Sequence, residues 1–252
     1  RDVLGSRGLG DVYKRQLKAL AACKELGAFT LAITNVAGSS ATFAADAHFL
    51  LNAGAEIAVA ATKSYCCQLL ALWLLAKAAA DERVSAECID DLCKKAAGLV
   101  KSPDFPKCRT ADKLFFIGKG TDYITATEGA LKFKEITYKC AEAHTAGELK
   151  HGTIALADEN SAAVVCMTVP QDAKRIKATV SELKSRGTAV YAVSSVGDAG
   201  GDATLAIPVP DECALLPVLA VIPMQMLALD CAIALGLDPD KPRNLAKSVT
   251  VI

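Results

Sequence analysis

Glu128, Lys132 and Glu135 stand at i, i+4 and i+7 in EGALKFKEITY (128–138). On a helix they share one stripe about sixty degrees wide, while Ala130, Leu131, Phe133 and Ile136 cover the rest of the cylinder. A helix apolar on most sides is buried, and an unpaired buried charge costs several kcal/mol or more, so the stripe faces either a compensating partner or a polar cleft. The spacing suits two arrangements equally. One is a structural ion pair between Glu128 and Lys132; the other is a glutamate held ready to accept a proton beside a lysine that offsets charge.

Two further groups could join that chemistry. AGELKHGT (146–153) brackets Glu148, Lys150 and His151 between Gly147 and Gly152, and histidine alone among them exchanges a proton near neutral pH. A loop histidine is more often structural, but this one follows directly from the charged helix. Near the other end, LGLDPDKPRNLAKSVT (235–250) closes an apolar chain with a polar run built around Lys247. Lysine condenses with carbonyl substrates when its surroundings lower its pKa; taken alone, Lys247 reads first as an ordinary surface residue in an ordered tail.

Alternating helices and strands must position these groups. Leu17 to Gly27 reads as a helix, 29–34 (FTLAIT) as a buried strand, 47–52 as a second strand, 62–80 as a long helix apolar almost all round, and 85–99 as a more polar helix. The run 101–113, with two prolines, is the expected linker. Alternation then resumes with strands at 114–118, 161–169, 188–195 and 203–209, and helices at 123–139, 172–186 and 215–235. The fold class is therefore α/β, three-layer αβα with parallel sheets, in two units of which the first is incomplete. Residues 1–16 share neither composition nor periodicity with the rest and read as adventitious, so the chain is expected to be a fragment.

Composition narrows the function classes. The 252 residues are 52% hydrophobic and 22% charged, with 28 basic and 28 acidic side chains. That balance gives no electrostatic case for nucleic acid or an anionic membrane surface, and 71–80 is too short and too interrupted to span a bilayer. Ten cysteines are scattered without a CxxC pair, and only three histidines occur, at 48, 144 and 151. Zinc of ordinary ligand spacing is hard to build, so no metal is expected; free thiols in a reducing cytoplasm are.

EGALKFKEITYKCAEAHTAGELKHGTIALAD (128–158) with DPDKPRNLAKSVTV (238–251) closely resembles the C-terminal isomerase half of the glutamine–fructose-6-phosphate aminotransferase family. TNVAGSSATFAADAHFLLNAGAEIAVAATKSYCCQLLAL (34–72) resembles the first sugar-isomerase (SIS) domain of that family. The resemblance runs in order from 17 to 252. It implies a partial first SIS domain at 17–84, a helix and linker at 85–112, a second SIS domain at 113–236, and a tail at 237–252 that returns to the active site.

The resemblance also implies roles. Lys247 would form a Schiff base with the open-chain ketose, Glu135 would move a proton between C1 and C2, Lys132 would assist as a charged partner, and His151 would promote ring opening. Val59, Ala61, Thr62 and Ala246 would line the sugar. Ala61 stands where the family has a serine, a loss of one hydrogen bond worth about 1 kcal/mol. No organic cofactor is required. The implied partners are fructose 6-phosphate, a glutaminase domain upstream and a second copy in a homodimer. The family's serine-rich phosphate turn is not found in 1–16, so the isolated chain is expected to be inactive. Two other readings share the fold: a stand-alone sugar-phosphate isomerase or amino-sugar deaminase, and a non-catalytic sugar-phosphate-binding module.

Overall fold

The computed structural model describes residues 10–247, which divide into two compact units: one formed by the chain up to Glu82 together with the segment from Asp240 onward, the other by Arg83–Pro239. The reading of 1–16 as adventitious falls, for 1–9, outside the described residues, as does the tail beyond 247.

The first unit carries α1 (Gly10–Glu25), β1 (Leu31–Thr34), α2 (Ser40–Ala44), β2 (Ala47–Leu50) and α3 (Lys63–Ala79). Helix α1 begins at Gly10, seven residues before the expected start at Leu17, and so takes in a stretch whose glycine and polar composition gives no helical signal. Gly27, at φ +75°, turns the chain out of it. Strands β1 and β2 pair in parallel, with Leu31 opposite Ala47 and Thr34 opposite Leu50. The second strand stops two residues short of the expected 52, because Asn52 adopts a left-handed φ of 51°.

Asp46 ties the start of β1 to the start of β2. Its carboxylate accepts from Thr30 N (2.8 Å) and Thr30 Oγ1 (2.7 Å) and pairs with Lys24 at 3.0 Å. The Thr30 hydroxyl, with Lys24 and the Thr30 amide, holds the Asp46 carboxyl down at about 2. The native state therefore binds fewer protons than the unfolded chain below pH 4. This contribution is complete above the ordinary carboxylate range and is lost as the pH falls towards about 2. Melting curves of wild type and Asp46→Asn are expected to differ at pH 6 and to draw together as the pH falls to 2; a gap as wide at pH 2 as at pH 6 would assign the stabilisation to something other than ionised Asp46.

The second unit opens with α4 (Ala86–Gly98) and α5 (Lys107–Thr110), followed by β3 (Lys113–Gly118), α6 (Thr121–Thr137), β4 (Cys140–Thr145), β5 (Ser161–Met167), α7 (Ala173–Lys184), β6 (Ala189–Ser194), β7 (Ala203–Ala206) and α8 (Leu216–Ala234). Its sheet runs β4-β3-β5-β6-β7, every neighbouring pair parallel. Alternate side chains of the sheet pack on opposite faces. Phe115, Ile117, Val165, Met167 and Val190 meet Ile176, Val180 and Leu183 of α7. On the other face Phe116 meets Phe133 of α6, ring centroids 6.0 Å apart, and α8 packs on α6. This is a three-layer αβα arrangement.

Three features of this unit depart from the sequence reading. The expected linker is part of the packed unit, for Phe105, Cys108 and Ala111 are all buried and Phe105 stacks on Tyr191 at 4.7 Å. Two prolines there shape a docked connection. Strand β4 was not anticipated: its CAEAHT sequence is half exposed at the sheet edge and carries little apolar signal. Strand β7 ends at Ala206, ahead of Pro208, which has no N–H for a ladder. Helix α8 and the turn before it, Cys213–Ala234, are long and apolar enough to cross a membrane by length and composition. The helix is instead core: Leu219, Ala220, Val221, Met224, Ala228 and Cys231 are fully buried.

Candidate functional site

Helix α6 positions the first group of charged residues. Its sequence places Ala126, Ala130, Phe133 and Ile136 in the core, and Gly129 lets α8 approach so closely that an added Cβ would lie 2.6 Å from Met224 Sδ. Lys132 is carried into this packed setting and is only 5% exposed. Its ammonium lies 2.8 Å from Glu135 Oε2 and 3.5 Å from Glu128 Oε1. The expected pair of Glu128 with Lys132 is thus one half of a three-charge cluster, and the closer partner is Glu135.

One ammonium between two carboxylates leaves an excess negative charge. Burial raises the Glu128 carboxyl above its ordinary value, against the lowering effect of Lys132, and Glu135 adds to the rise. Glu135 Oε2 is shielded from solvent, and the Lys132 ammonium at 2.8 Å is its cationic neighbour. A buried carboxylate oxygen with spare accepting capacity, beside a fixed cation, is equipped to take a proton from carbon or oxygen.

His151 stands on the loop that follows β4. It ends a short 3-10 turn, Leu149–His151, anchored by fully buried Leu149 and followed by Gly152 at φ +150°. The residue is exposed. It lines an open groove of about 610 Å³ with Lys119, Lys150, Asp172 and Arg175. His144, on β4, is the more enclosed histidine. Burial lowers its pKa, only partly opposed by Glu142, so it is held neutral.

The first unit gathers a second group. Asp240 O accepts from Val59 N at 3.1 Å, fastening the C-terminal segment to the loop before α3. Lys247 then reaches Glu56, Nζ to Oε2 3.1 Å, with both side chains mostly buried. Thr62 N donates to Glu56 Oε1 at 3.0 Å, Ala61 and Thr62 are half-buried beside it, and Ala246 is exposed. Sequence alone gives no reason to pair Glu56 with Lys247. The partners of Glu56 stand 6, 8 and 191 residues away, a relation that no local pattern contains. Among the described residues no three His, Cys, Asp or Glu side chains converge as a metal site would require.

Comparison with known proteins agrees with the α/β fold. The chain is 39% identical to the glutamine–fructose-6-phosphate aminotransferase (isomerizing) of Clostridium acetobutylicum, over 93% of this chain and 41% of the relative. It therefore spans about two fifths of the length of such relatives. Among solved structures, it is similar to the C-terminal domain of the Francisella tularensis glucosamine-fructose-6-phosphate aminotransferase (TM-score 0.72, 27% identity, 90% of this chain and 69% of that one). It is also similar to a glucosamine-6-phosphate deaminase of Thermotoga maritima (TM-score 0.75, 26% identity, 97% and 73%). The SIS domain pattern matches residues 10–78 and 107–235, covering most of both αβ units, and the chain accordingly belongs to the SIS domain family.

Proposed function

We propose that the chain is the isomerising part of a glutamine–fructose-6-phosphate aminotransferase, which converts fructose 6-phosphate and glutamine-derived ammonia to glucosamine 6-phosphate. The observation that carries this reading is the buried Lys132 cluster, in which one ammonium lies 2.8 Å from Glu135 and 3.5 Å from Glu128. In this reading Lys247 condenses with C2 of the open-chain ketose. The iminium then acidifies the C1 protons, and Glu135 carries a proton between C1 and C2. Lys132 offsets the charge that develops, and His151 exchanges the ring-opening proton. Val59, Ala61, Thr62 and Ala246 line the sugar. The domains follow the same proposal: a first SIS domain, a second, and a tail that supplies Lys247. A glutaminase domain provides ammonia, two copies associate, and the protein works in the cytoplasm, where its ten cysteines stay free.

Likeness to a glucosamine-6-phosphate deaminase structure supports a second reading, a sugar-phosphate enzyme without a glutaminase partner. One experiment addresses both. Sodium borohydride added to the full-length gene product with fructose 6-phosphate is expected to leave a reduced hexose phosphate on Lys247, located by peptide mass spectrometry. Absence of the adduct removes Lys247 from the role. Release of glucosamine 6-phosphate from fructose 6-phosphate and glutamine, as against ammonia alone, separates the aminotransferase from the deaminase.

A further inference from the structure

Glu56 is anchored by four contacts from three residues. Oε1 accepts from Thr62 N (3.0 Å) and Ser64 N (3.3 Å), while Oε2 accepts from Ser64 Oγ (2.7 Å) and Lys247 Nζ (3.1 Å). The two amides stand at the N-terminal end of the 17-residue helix α3, where the helix dipole favours a carboxylate. Glu56 is thus fixed to a long element and does not follow a flexible side chain. Its side chain is 12% exposed and that of Lys247 18%, so the pair is screened little by solvent. Burial pushes the Glu56 carboxyl up, but these donors outweigh it and hold it below the ordinary value. A carboxylate held this way is a poor proton acceptor and a durable counter-charge.

We propose that Glu56 is the positioning residue of Lys247, holding its ammonium in place before condensation with a ketose and remaining as counter-charge to the iminium afterwards. This rests on the Schiff-base reading of Lys247. The step conserves charge. Lys–NH3+ and the C2 carbonyl give Lys–NH+=C2 and one water: the N–C bond forms, the C–O double bond breaks, and two ammonium protons leave with the carbonyl oxygen. Since the cation is present before and after, one immobile carboxylate serves both states without moving a proton itself. Capping α3 and holding Lys247 are therefore the same contact set used twice.

The charge of Glu56 can be separated from its capping duty. Glu56→Gln keeps an oxygen acceptor for the Thr62 and Ser64 amides and removes the charge; Glu56→Asp keeps the charge one methylene short. At pH 8, acylation of Lys247 by a small amine-reactive ester is expected to be about tenfold faster in Glu56→Gln than in wild type, because the carboxylate that holds the ammonium is gone. Exposed Lys94 serves as the internal reference, and Glu56→Asp is expected to stay nearer wild type. A Gln variant within about twofold of wild type, or an Asp variant as reactive as Gln, would overturn the proposal. Borohydride trapping with fructose 6-phosphate on the full-length gene product distinguishes the two ideas. No adduct on wild-type Lys247 sinks the Schiff-base reading, whereas wild-type trapping with equal yield in Glu56→Gln sinks the positioning role.

Discussion

Glu135→Gln is expected to slow exchange of the C1 proton of fructose 6-phosphate with solvent deuterium by about 10²- to 10⁴-fold, the range general-base catalysis commonly supplies. The substitution preserves the volume of the side chain in its half-buried place on α6 and leaves Lys132 with Glu128 as its ion-pair partner at 3.5 Å. Folding should therefore survive while the basic oxygen is lost. Binding of the sugar phosphate should change much less than turnover, because the carboxylate acts on the proton in flight more than on the resting substrate. Exchange followed by NMR in the full-length gene product measures the step directly, without dependence on ammonia. Exchange undiminished within about threefold would exclude Glu135 as the base and leave the cluster a structural ion triad.

Gly118→Ala should be the most damaging single methyl group in the second unit. A Cβ there would lie 2.3 Å from the carbonyl carbon and oxygen of Asp122 and 2.5 Å from Tyr123 N, all backbone atoms in the first turn of α6. That turn cannot give way cheaply. Asp122 is buried, and its carboxylate accepts from Thr168 N at 2.8 Å and from the Thr168 hydroxyl at the end of β5. Relief of the clash pulls those bonds apart, so destabilisation of at least about 3 kcal/mol is expected, the upper range for overpacking. Urea unfolding with a probe in the second unit reads it. Gly98→Ala, at the end of α4 with open space around its Cβ and no positive φ, is the control, expected to be neutral or stabilising by about 0.5 kcal/mol. Equal behaviour of the two variants would show that β3 and α6 have slack where their backbones meet.

What the sequence disclosed follows from what kind of contact each feature needs. Strands β3, β5 and β6 are buried on both faces, so their continuous apolar runs announce them. The stripe on α6 is equally local, for helical geometry alone brings residues 128, 132 and 135 together. Strand β4 was missed because an edge strand needs only one apolar partner surface. Cys108, fully buried in a proline-bearing segment, was read as linker because its burial depends on elements far along the chain. Glu56 shows the same limit within the candidate site: its carboxylate is defined by a lysine 191 residues away.

The docking of α8 against α6 has a consequence for how the protein is made. Synthesis delivers α6 well before α8, and between them lie four strands of the central sheet, β4, β5, β6 and β7. Until Ala234 has left the ribosome, the face of α6 around Gly129 that receives Met224 has no cover. The emerging α8 is meanwhile a 19-residue apolar segment without an acidic or basic side chain before Asp230. The nascent chain thus passes through a stage with two exposed surfaces that are complementary to each other and attractive to any other hydrophobic partner. Emergence of α8 is the moment at which the second unit can first close its core.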